Sequence, residues 1–285
     1  MSSINQERDV RPSLTHDVHR RYCYIDFTKE MPFARATSTP MGNPTGTAGD
    51  VNTLQCGPMQ LQYHVLGTQT ILAGKRTATG WDMSQDQTDN DGAEHTTGCE
   101  DPANPVISST ADSSRGTFKV GTDGPFGFAL KMKITDVSGT DDCAVGFRKA
   151  EAYQANVDDY DEGAFVNVIL GDINTETILN NAATTTTDST DNWADAATKT
   201  LAVIVDSDGS LSKDGTKGKV YITVDGKKLT TAAATRFKFD NAELVQPFHF
   251  FLQATTTPGA VEYIEWESGL LPLVKLLDQY EWGAA

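Results

Sequence analysis

The sequence predicts an all-β protein built as an antiparallel β-sandwich. In one segment apolar residues occupy every second position, at Phe126, Phe128, Leu130, Met132 and Ile134. Because strand side chains point alternately to opposite faces, this pattern predicts a sheet with one apolar face. No amphipathic helical pattern separates such segments between about residues 117 and 268. Sheets with one apolar face must pack against each other, so a two-layer sandwich is expected.

Strand-like segments follow one another through the second half of the chain. The predicted strands are 126–136, 142–149, 163–170, 199–206, 218–225, 235–239, 247–254 and 260–267. Turn chemistry links several of them, because Asp208-Gly209, Asp214-Gly215 and Asp225-Gly226 tolerate positive φ. Further upstream, residues 61–73 predict one or two strands interrupted at Gly67.

The remaining segments predict appendages and loops around one core. With 285 residues and 38% hydrophobic content, one large domain is expected. Residues 1–60 predict an extended arm and loop, in which Tyr22, Tyr24 and Phe27 mark one edge strand. Residues 61–269 predict the sandwich itself. Within it, residues 80–114 form a polar stretch too long for an ordinary connection, and a second surface loop at 180–199 is anchored by Trp193.

The last segment, 270–285, predicts a docking tail because its apolar side chains need a cover. The tail either folds back on its own sandwich or docks on a neighbouring subunit. If the tail docks on a neighbouring subunit, the N-terminal arm also contributes to that contact. The predicted partner-binding residues are Leu270, Leu273, Leu276, Leu277, Tyr280, Trp282, Arg20 and Arg21.

Charge and composition exclude several classes of partner. The net charge of −16 and a pI near 4.6 argue against extended contact with nucleic-acid phosphates or an anionic membrane surface. Residues 1–15 lack the apolar region of a secretory signal, and no apolar stretch reaches membrane-spanning length, so synthesis in the cytoplasm is expected. Four scattered cysteines without a C-x-x-C pair predict reduced thiols rather than a zinc or redox site.

Several segments carry a resemblance to a known superfamily. They are FGFALKMKI (126–134), CAVGF (143–147), KTLAVIVD (199–206), GKVYITVDGKKL (218–229), RFKFD (236–240), QPFHFFLQA (246–254) and AVEYIEWES (260–268). In their order, residues 117–268 resemble the concanavalin A-like jelly-roll superfamily, which includes legume lectins, laminin-G domains and family-16 glucanases. The resemblance implies a jelly-roll sandwich. Domains of this kind also cap or cement the capsids of tailed phages.

Catalytic residues are not predicted. Family-16 glucanases place three acids on alternate positions of one strand. Here Glu265 and Glu267 alternate, Tyr263 takes the third place, and Glu262 is predicted on the opposite face. Glu265 and Glu267 are therefore expected on an ordinary solvated sheet face, and the protein is expected not to be an enzyme.

No metal or other cofactor is predicted, although calcium is kept as an alternative because hard cations bind clustered carboxylates. The EF-hand-like start at Asp86, Asp89 and Asp91 fails, because Gln87 and Gly98 occupy ligand positions. The other acidic candidates are Asp158, Asp159, Asp161, Glu162, Asp206 and Asp208. The five histidines are too dispersed for a metal triad, and His249 is expected at the surface or rim.

Aromatic residues in polar loops are the candidates for glycan binding. They are Trp81, Tyr153, Tyr160 and Trp193. Each ring could stack on a sugar while nearby Asp and Asn side chains bind its hydroxyls. Alternatively, each ring could be a hydrophobic plug that pins its loop.

These observations lead to an expected function and two alternatives. The expected function is a non-enzymatic virion protein, a decoration or cement protein on the exterior of a phage capsid. Its partners would be the major capsid protein and like subunits, in a homo-oligomer. The first alternative is a lectin-like carbohydrate-binding module for polysaccharide. The second is a family-16-type glycoside hydrolase, which requires Glu265 and Glu267 to be catalytic.

Overall fold

A computed structural model describes nine segments of the chain. They are residues 22–29, 33–34, 51–56, 59–68, 75–83, 88–97, 116–231, 237–254 and 261–271. The strands in these segments are β1 (Cys23–Asp26), β2 (Phe33–Ala34), β3 (Val51–Cys56), β4 (Met59–Leu66), β5 (Lys75–Arg76), β6 (Trp81–Asp82), β7 (Gly92–Thr96), β8 (Phe118–Lys119), β9 (Phe126–Ile134), β10 (Thr140–Lys149), β11 (Gly163–Ile169), β12 (Asp172–Ile178), β13 (Thr185–Asn192), β14 (Thr198–Asp206), β15 (Lys219–Val224), β16 (Lys227–Lys228), β17 (Leu244–Gln253) and β18 (Val261–Leu270).

These strands form two antiparallel sheets. The eight-stranded sheet has the order β16-β15-β14-β9-β18-β6-β5, with β1 also pairing to β18. The ten-stranded sheet has the order β13-β12-β11-β10-β17-β7-β4-β3-β2, with β8 also pairing to β17. Neighbours in space are often distant in sequence, and β1 and β18, the first and last described strands, pair with each other. The predicted all-β antiparallel sandwich is confirmed.

The main core lies between the two sheets. On the eight-stranded sheet, Phe128, Val203 and Ile222 are cross-strand partners and point inward together. They meet Val145 and Phe251 from the ten-stranded sheet in the same buried cluster. The alternation in the sequence therefore places every second side chain of these strands in this core.

A second apolar cluster covers the outer face of the ten-stranded sheet. Phe248 and Phe250 of β17 point to this face and pack with Val157 and Tyr160 from the segment between β10 and β11. That segment, residues 150–162, lies across the sheet, so both faces of β17 are apolar. This cover determines the surroundings of the polar side chains on the same face.

Two stretches predicted as loops contain strands. β7 lies within the predicted surface loop 80–114, yet it is buried between β4 and β17. A Cβ on Gly92 would lie 1.9 Å from the Phe251 carbonyl oxygen, so only glycine fits there. β13 lies within the predicted loop 180–199 and pairs with β12. Its side chains alternate between exposed and partly buried. Because an edge strand can consist of polar residues, no apolar alternation in the sequence indicates it.

The predicted arm also contributes to the sandwich. β1 pairs with β18, which confirms the strand predicted around Tyr22 and Phe27. β3 pairs with β4, so parts of residues 1–60 belong to the sheets rather than to an appendage. Of the predicted strand 235–239, the described residues form only a single bridge, between Lys238 and Lys219.

Candidate functional site

The outer face of the ten-stranded sheet collects polar side chains in two cross-strand rows. His64 of β4 lies opposite Glu94 of β7. On β17, Phe250 pairs with Glu94, and four residues away Gln246 lies opposite Arg148 of β10. The inner positions of these strands are filled by core residues, so the alternation presents the four polar residues to the outer face.

An ion pair lies at the centre of this face. Arg148 Nε donates to Glu94 Oε1 at 2.6 Å, and both side chains are fully buried. Arg148 Nη1 donates to the carbonyl oxygens of Lys149 and Glu151 at 2.8 and 3.3 Å. Burial raises the pKa of Glu94, whereas the Arg148 charge beside it acts in the opposite direction. Charges buried to this degree require such pairing and hydrogen bonding.

Two tyrosines from segment 150–162 enclose the guanidinium. The Tyr160 hydroxyl donates to Glu94 Oε2, and its ring lies 4.2 Å from the Arg148 guanidinium carbon. The Tyr153 ring lies 5.2 Å from the same atom. Cation–π contact with two rings compensates the charge from both sides. The ion pair therefore fixes segment 150–162 on the sheet.

Tyr153 also joins the two polar rows. Its hydroxyl donates to Gln62 Oε1 at 2.8 Å. Its ring stacks on His64 with a centroid distance of 4.5 Å and an interplanar angle of 11°. Burial, together with the Arg148 charge, lowers the pKa of His64 to about 4, so the imidazole is neutral near pH 7. Tyr153 itself is partly exposed.

Three side chains on this face keep polar atoms that no described residue hydrogen-bonds. They are Arg148 Nη2, both amide atoms of Gln246, and His64 Nδ1, and all are buried. Buried polar atoms without hydrogen bonds are rare, because each costs about 1–3 kcal/mol. The face therefore holds hydrogen-bonding capacity that the described side chains leave unused.

Of the four predicted glycan-binding rings, only Tyr153 has an exposed part. Trp81, Tyr160 and Trp193 are 0%, 1% and 2% exposed, so none offers a face to a sugar, and the stacking prediction is wrong for these three. Trp81 stacks on Phe27 in the core at 5.6 Å. The Trp193 indole nitrogen donates to the Ala197 carbonyl oxygen at 3.2 Å. Tyr160 and Trp193 pin loops, which was the alternative interpretation, whereas Trp81 is a core residue of strand β6.

The predicted partner-binding residues lie mostly outside the described residues. Leu270 is the exception, and it is partly buried against the main core. It therefore contributes to the sandwich rather than to a surface for a partner, which corrects its assignment. The others are Leu273, Leu276, Leu277, Tyr280, Trp282, Arg20 and Arg21, and their role stays a prediction.

A β-bulge corrects the orientation predicted for the acids of β18. The register with β9 shifts between Tyr263 and Glu265, so Glu262 joins Glu265 and Glu267 on the outer face of the eight-stranded sheet. Glu262 and Glu267 are 4% and 1% exposed, so this is not the solvated face that was expected.

All three carboxylates of β18 have partners. Glu262 accepts from Thr79 Oγ1 at 2.7 Å and lies 3.7 Å from Lys133 Nζ. Glu265 lies 3.4 Å from Lys131 Nζ. Glu267 accepts from the Tyr22 hydroxyl at 2.5 Å. Each acid is therefore engaged in holding the sheet or its edge.

The acidic calcium candidates hold backbone amides and neighbouring side chains. Asp91 accepts from the Thr68 and Thr88 amides at 2.9 and 3.1 Å. Asp206 accepts from the Leu211 and Ser212 amides at 3.1 and 2.8 Å. Within the described residues, no group of three His, Cys, Asp or Glu side chains is arranged to hold a metal ion. Asp86 lies outside them.

His249 is not at the rim, as was expected, but fully buried between the sheets. Its Nε2 lies 3.4 Å from Cys143 Sγ, and its Nδ1 contacts the Tyr263 hydroxyl. The same hydroxyl lies 3.0 Å from His95 Nδ1. Burial lowers the pKa of His249 to about 3 and that of His95 well below its usual value, so both imidazoles are neutral near pH 7. This core network is structural, because it has no access to solvent.

Comparisons with known proteins give likenesses of fold only. No family model matches, and no curated protein matches. The carbohydrate recognition domain of Emp47p aligns with a TM-score of 0.43 and 12% identity, over 88% of this chain and 95% of that domain. The Caenorhabditis elegans galectin LEC-6 aligns with a TM-score of 0.34 and 13% identity, over 54% of this chain and 89% of the galectin. Trypanosoma rangeli sialidase aligns with a TM-score of 0.44 and 11% identity, over 90% of this chain and 34% of the sialidase.

These scores are too low to carry an argument about function, and the architecture rests on the strand pairing of the chain itself. The phage-capsid assignment gains no support from the comparisons. Among the described residues, no helix is both long enough and apolar enough to cross a bilayer.

Proposed function

We propose that the protein is a carbohydrate-binding module of the lectin type, with its ligand on the outer face of the ten-stranded sheet. The single observation that carries the proposal is the arrangement around Tyr153. Its partly exposed ring is held in place by Gln62 and His64 above a row of polar side chains. A fixed aromatic ring beside hydrogen-bonding groups matches a sugar, which has apolar C–H faces and peripheral hydroxyls.

The charge state of the site supports a neutral or weakly polar ligand. His64 is neutral near pH 7, Gln62 and Gln246 are amides, and Glu94 offsets the Arg148 charge. These groups donate and accept hydrogen bonds without an excess of charge of either sign. Sugar hydroxyls do both, so they can satisfy such a mixed set.

The buried atoms without partners indicate where the ligand would extend. Arg148 Nη2 and the Gln246 amide lie beyond the Arg148–Glu94 pair, under the cover of segment 150–162. A bound hydroxyl would recover the hydrogen bonds that these atoms lack. Access to them requires segment 150–162 to move, whereas Tyr153 is accessible as it stands.

The test is a glycan array probed with the wild-type protein and two variants. Tyr153→Ala removes the ring, whereas Tyr24→Ala removes a 40% exposed tyrosine on the other sheet and is the matched control. We expect selective binding by the wild type and by Tyr24→Ala. An aromatic contact contributes about 0.5–1.5 kcal/mol, so Tyr153→Ala should weaken binding by roughly two- to twelvefold. Equal binding by all three proteins, or binding to no glycan, would remove the proposal.

A further inference from the structure

An apolar patch lies on the outer face of the eight-stranded sheet. We define the alanine patch as Ala129, Ala202, Ile204 and Tyr221. The first three are at most 1% exposed. Among the described residues, the hydrophobic side chains that pack against the three buried ones are Tyr221 and Leu271. A buried patch on an outer face needs a cover of some size.

The described residues end at the alanine patch. β18 ends at Leu270, which packs inward against the main core. Leu271 turns to the outer face, where its amide donates to the Pro125 carbonyl oxygen at 2.8 Å and its side chain packs on the patch. The change of side between these two residues leaves the chain on the outer face, beside the patch, where the fourteen residues 272–285 begin.

The sequence of those residues suits this surface. Leu273, Leu276, Leu277 and Tyr280 have the spacing of one face of an amphipathic helix. Pro272 at its start is favourable for the first helical position. A helix of this length spans about 21 Å, whereas the distance from β18 across β9 and β14 to β15 is about 14 Å. The segment is therefore long enough to cross the patch.

The floor of the patch leaves room for large side chains. Ala129, Ala202 and Thr223 are cross-strand neighbours and form one row of small residues. The Thr223 hydroxyl in this row is buried, and none of the described residues forms a hydrogen bond with it. A row of small side chains lets leucines approach the sheet closely, and the hydroxyl marks where a polar group of the cover can bind.

We propose that residues 272–285 dock in cis on the alanine patch of their own sandwich. Leu271 already lies on the patch, so the tether holds the segment there at a high effective concentration. A neighbour's tail would have to displace it. The apolar tail then serves as the cover of the eight-stranded sheet and not as the contact between subunits.

The test uses a labelled peptide of residues 272–285 and a protein that ends at Leu271. The shortened protein should bind the peptide in a 1:1 complex by fluorescence anisotropy. The full-length protein should bind the peptide with an affinity at least about tenfold lower, because its own tail occupies the patch. Equal binding to both proteins, or none to the shortened protein, would overturn the proposal.

A matched pair of substitutions locates the docking site. In the shortened protein, Ala202→Glu places a charge on the patch and should weaken peptide binding by about tenfold or more. Ala183→Glu places the same charge at an exposed turn of the ten-stranded sheet and should leave binding unchanged. If both variants bind equally well, the peptide does not use the patch.

Cross-linking keeps the proposal testable if the shortened protein does not fold. In the full-length chain, with Cys56 and Cys99 replaced by serine, Ala202→Cys is combined with Leu273→Cys, Leu276→Cys or Leu277→Cys. At least one pair should form a disulfide within a single chain on oxidation, whereas the same tail positions with Ala183→Cys should form none. Disulfide-linked dimers in place of the internal bond would show that the tail docks on a neighbour.

Discussion

Arg148 and Gln246 lie directly opposite each other on β10 and β17, and both keep buried polar atoms that no residue in the described part of the chain hydrogen-bonds. Arg148 uses its Nε and Nη1 atoms to hold Glu94 and segment 150–162, and Nη2 is left over. The same residue therefore fastens the cover of the face and offers a donor beneath it. This dual position connects the stability of the sheet to its proposed ligand-binding role.

Breaking the Arg148–Glu94 pair should be costly. Glu94→Gln keeps the shape of the side chain but leaves the fully buried guanidinium uncompensated. We expect the free energy of unfolding to fall by about 3–5 kcal/mol. Urea denaturation at pH 7 measures it. The control is Asp214→Asn, which breaks the exposed pair with Lys219 and should leave the midpoint unchanged within error.

The buried His249 should make the protein sensitive to acid. Its folded-state pKa of about 3 is below the usual 6.5, so its contribution is complete above pH 6.5 and is lost as pH falls towards 3. Stability should decrease by about 1.4 kcal/mol per pH unit from this group within that window. His249→Phe removes the titration and should flatten this part of the profile. If the stability of the variant falls with pH as steeply as that of the wild type, the acid sensitivity does not come from His249.

Glu176 should act in the opposite sense. Burial raises its pKa to about 7, although Asn167 and Thr186 donate hydrogen bonds to it. Its contribution is present below its ordinary pKa of 4.5 and is lost as pH rises through 7. Glu176→Gln retains the shape without the charge, so it should stabilise the protein relative to wild type at pH 8 but not at pH 5. Urea denaturation at both values measures the difference.

Gly92 tests the position of β7 in the ten-stranded sheet. A Cβ there would lie 1.9 Å from the Phe251 carbonyl oxygen, whereas a Cβ on Gly124 would meet nothing within 4 Å. Gly92→Ala should lower the free energy of unfolding by about 2 kcal/mol or more, and Gly124→Ala should change it by less than about 0.5 kcal/mol. Equal effects of the two substitutions would mean that β7 does not lie beside β17.

The sequence predicted the strands whose inner and outer faces differ. β9 places large apolar side chains on alternate positions between Gly127, Ala129, Lys131 and Lys133, so its periodicity is visible directly. β7 was missed because Glu94 and His95 are polar yet buried, and their partners come from distant segments. β13 was missed because an edge strand with an exposed face needs no apolar residues.

Orientation at single residues was harder to predict. In β17 both faces are apolar, so alternation does not show that His249 points inward while Phe248 and Phe250 point outward. In β18 the bulge at Ile264 reverses the parity of Glu262, and no local sequence signal predicts it. Which of Tyr153 and Tyr160 keeps an exposed part depends on how segment 150–162 lies on the sheet, and the local sequence does not show it.

The most direct test of the proposed function is an NMR titration of the ¹⁵N-labelled protein with the glycan that the array selects. The predicted result is a set of saturable shifts at the amides of Tyr153, His64 and Gln62, with Glu265 and Glu267 unaffected. Shifts confined to β18 or to any other surface would contradict a binding site on the outer face of the ten-stranded sheet.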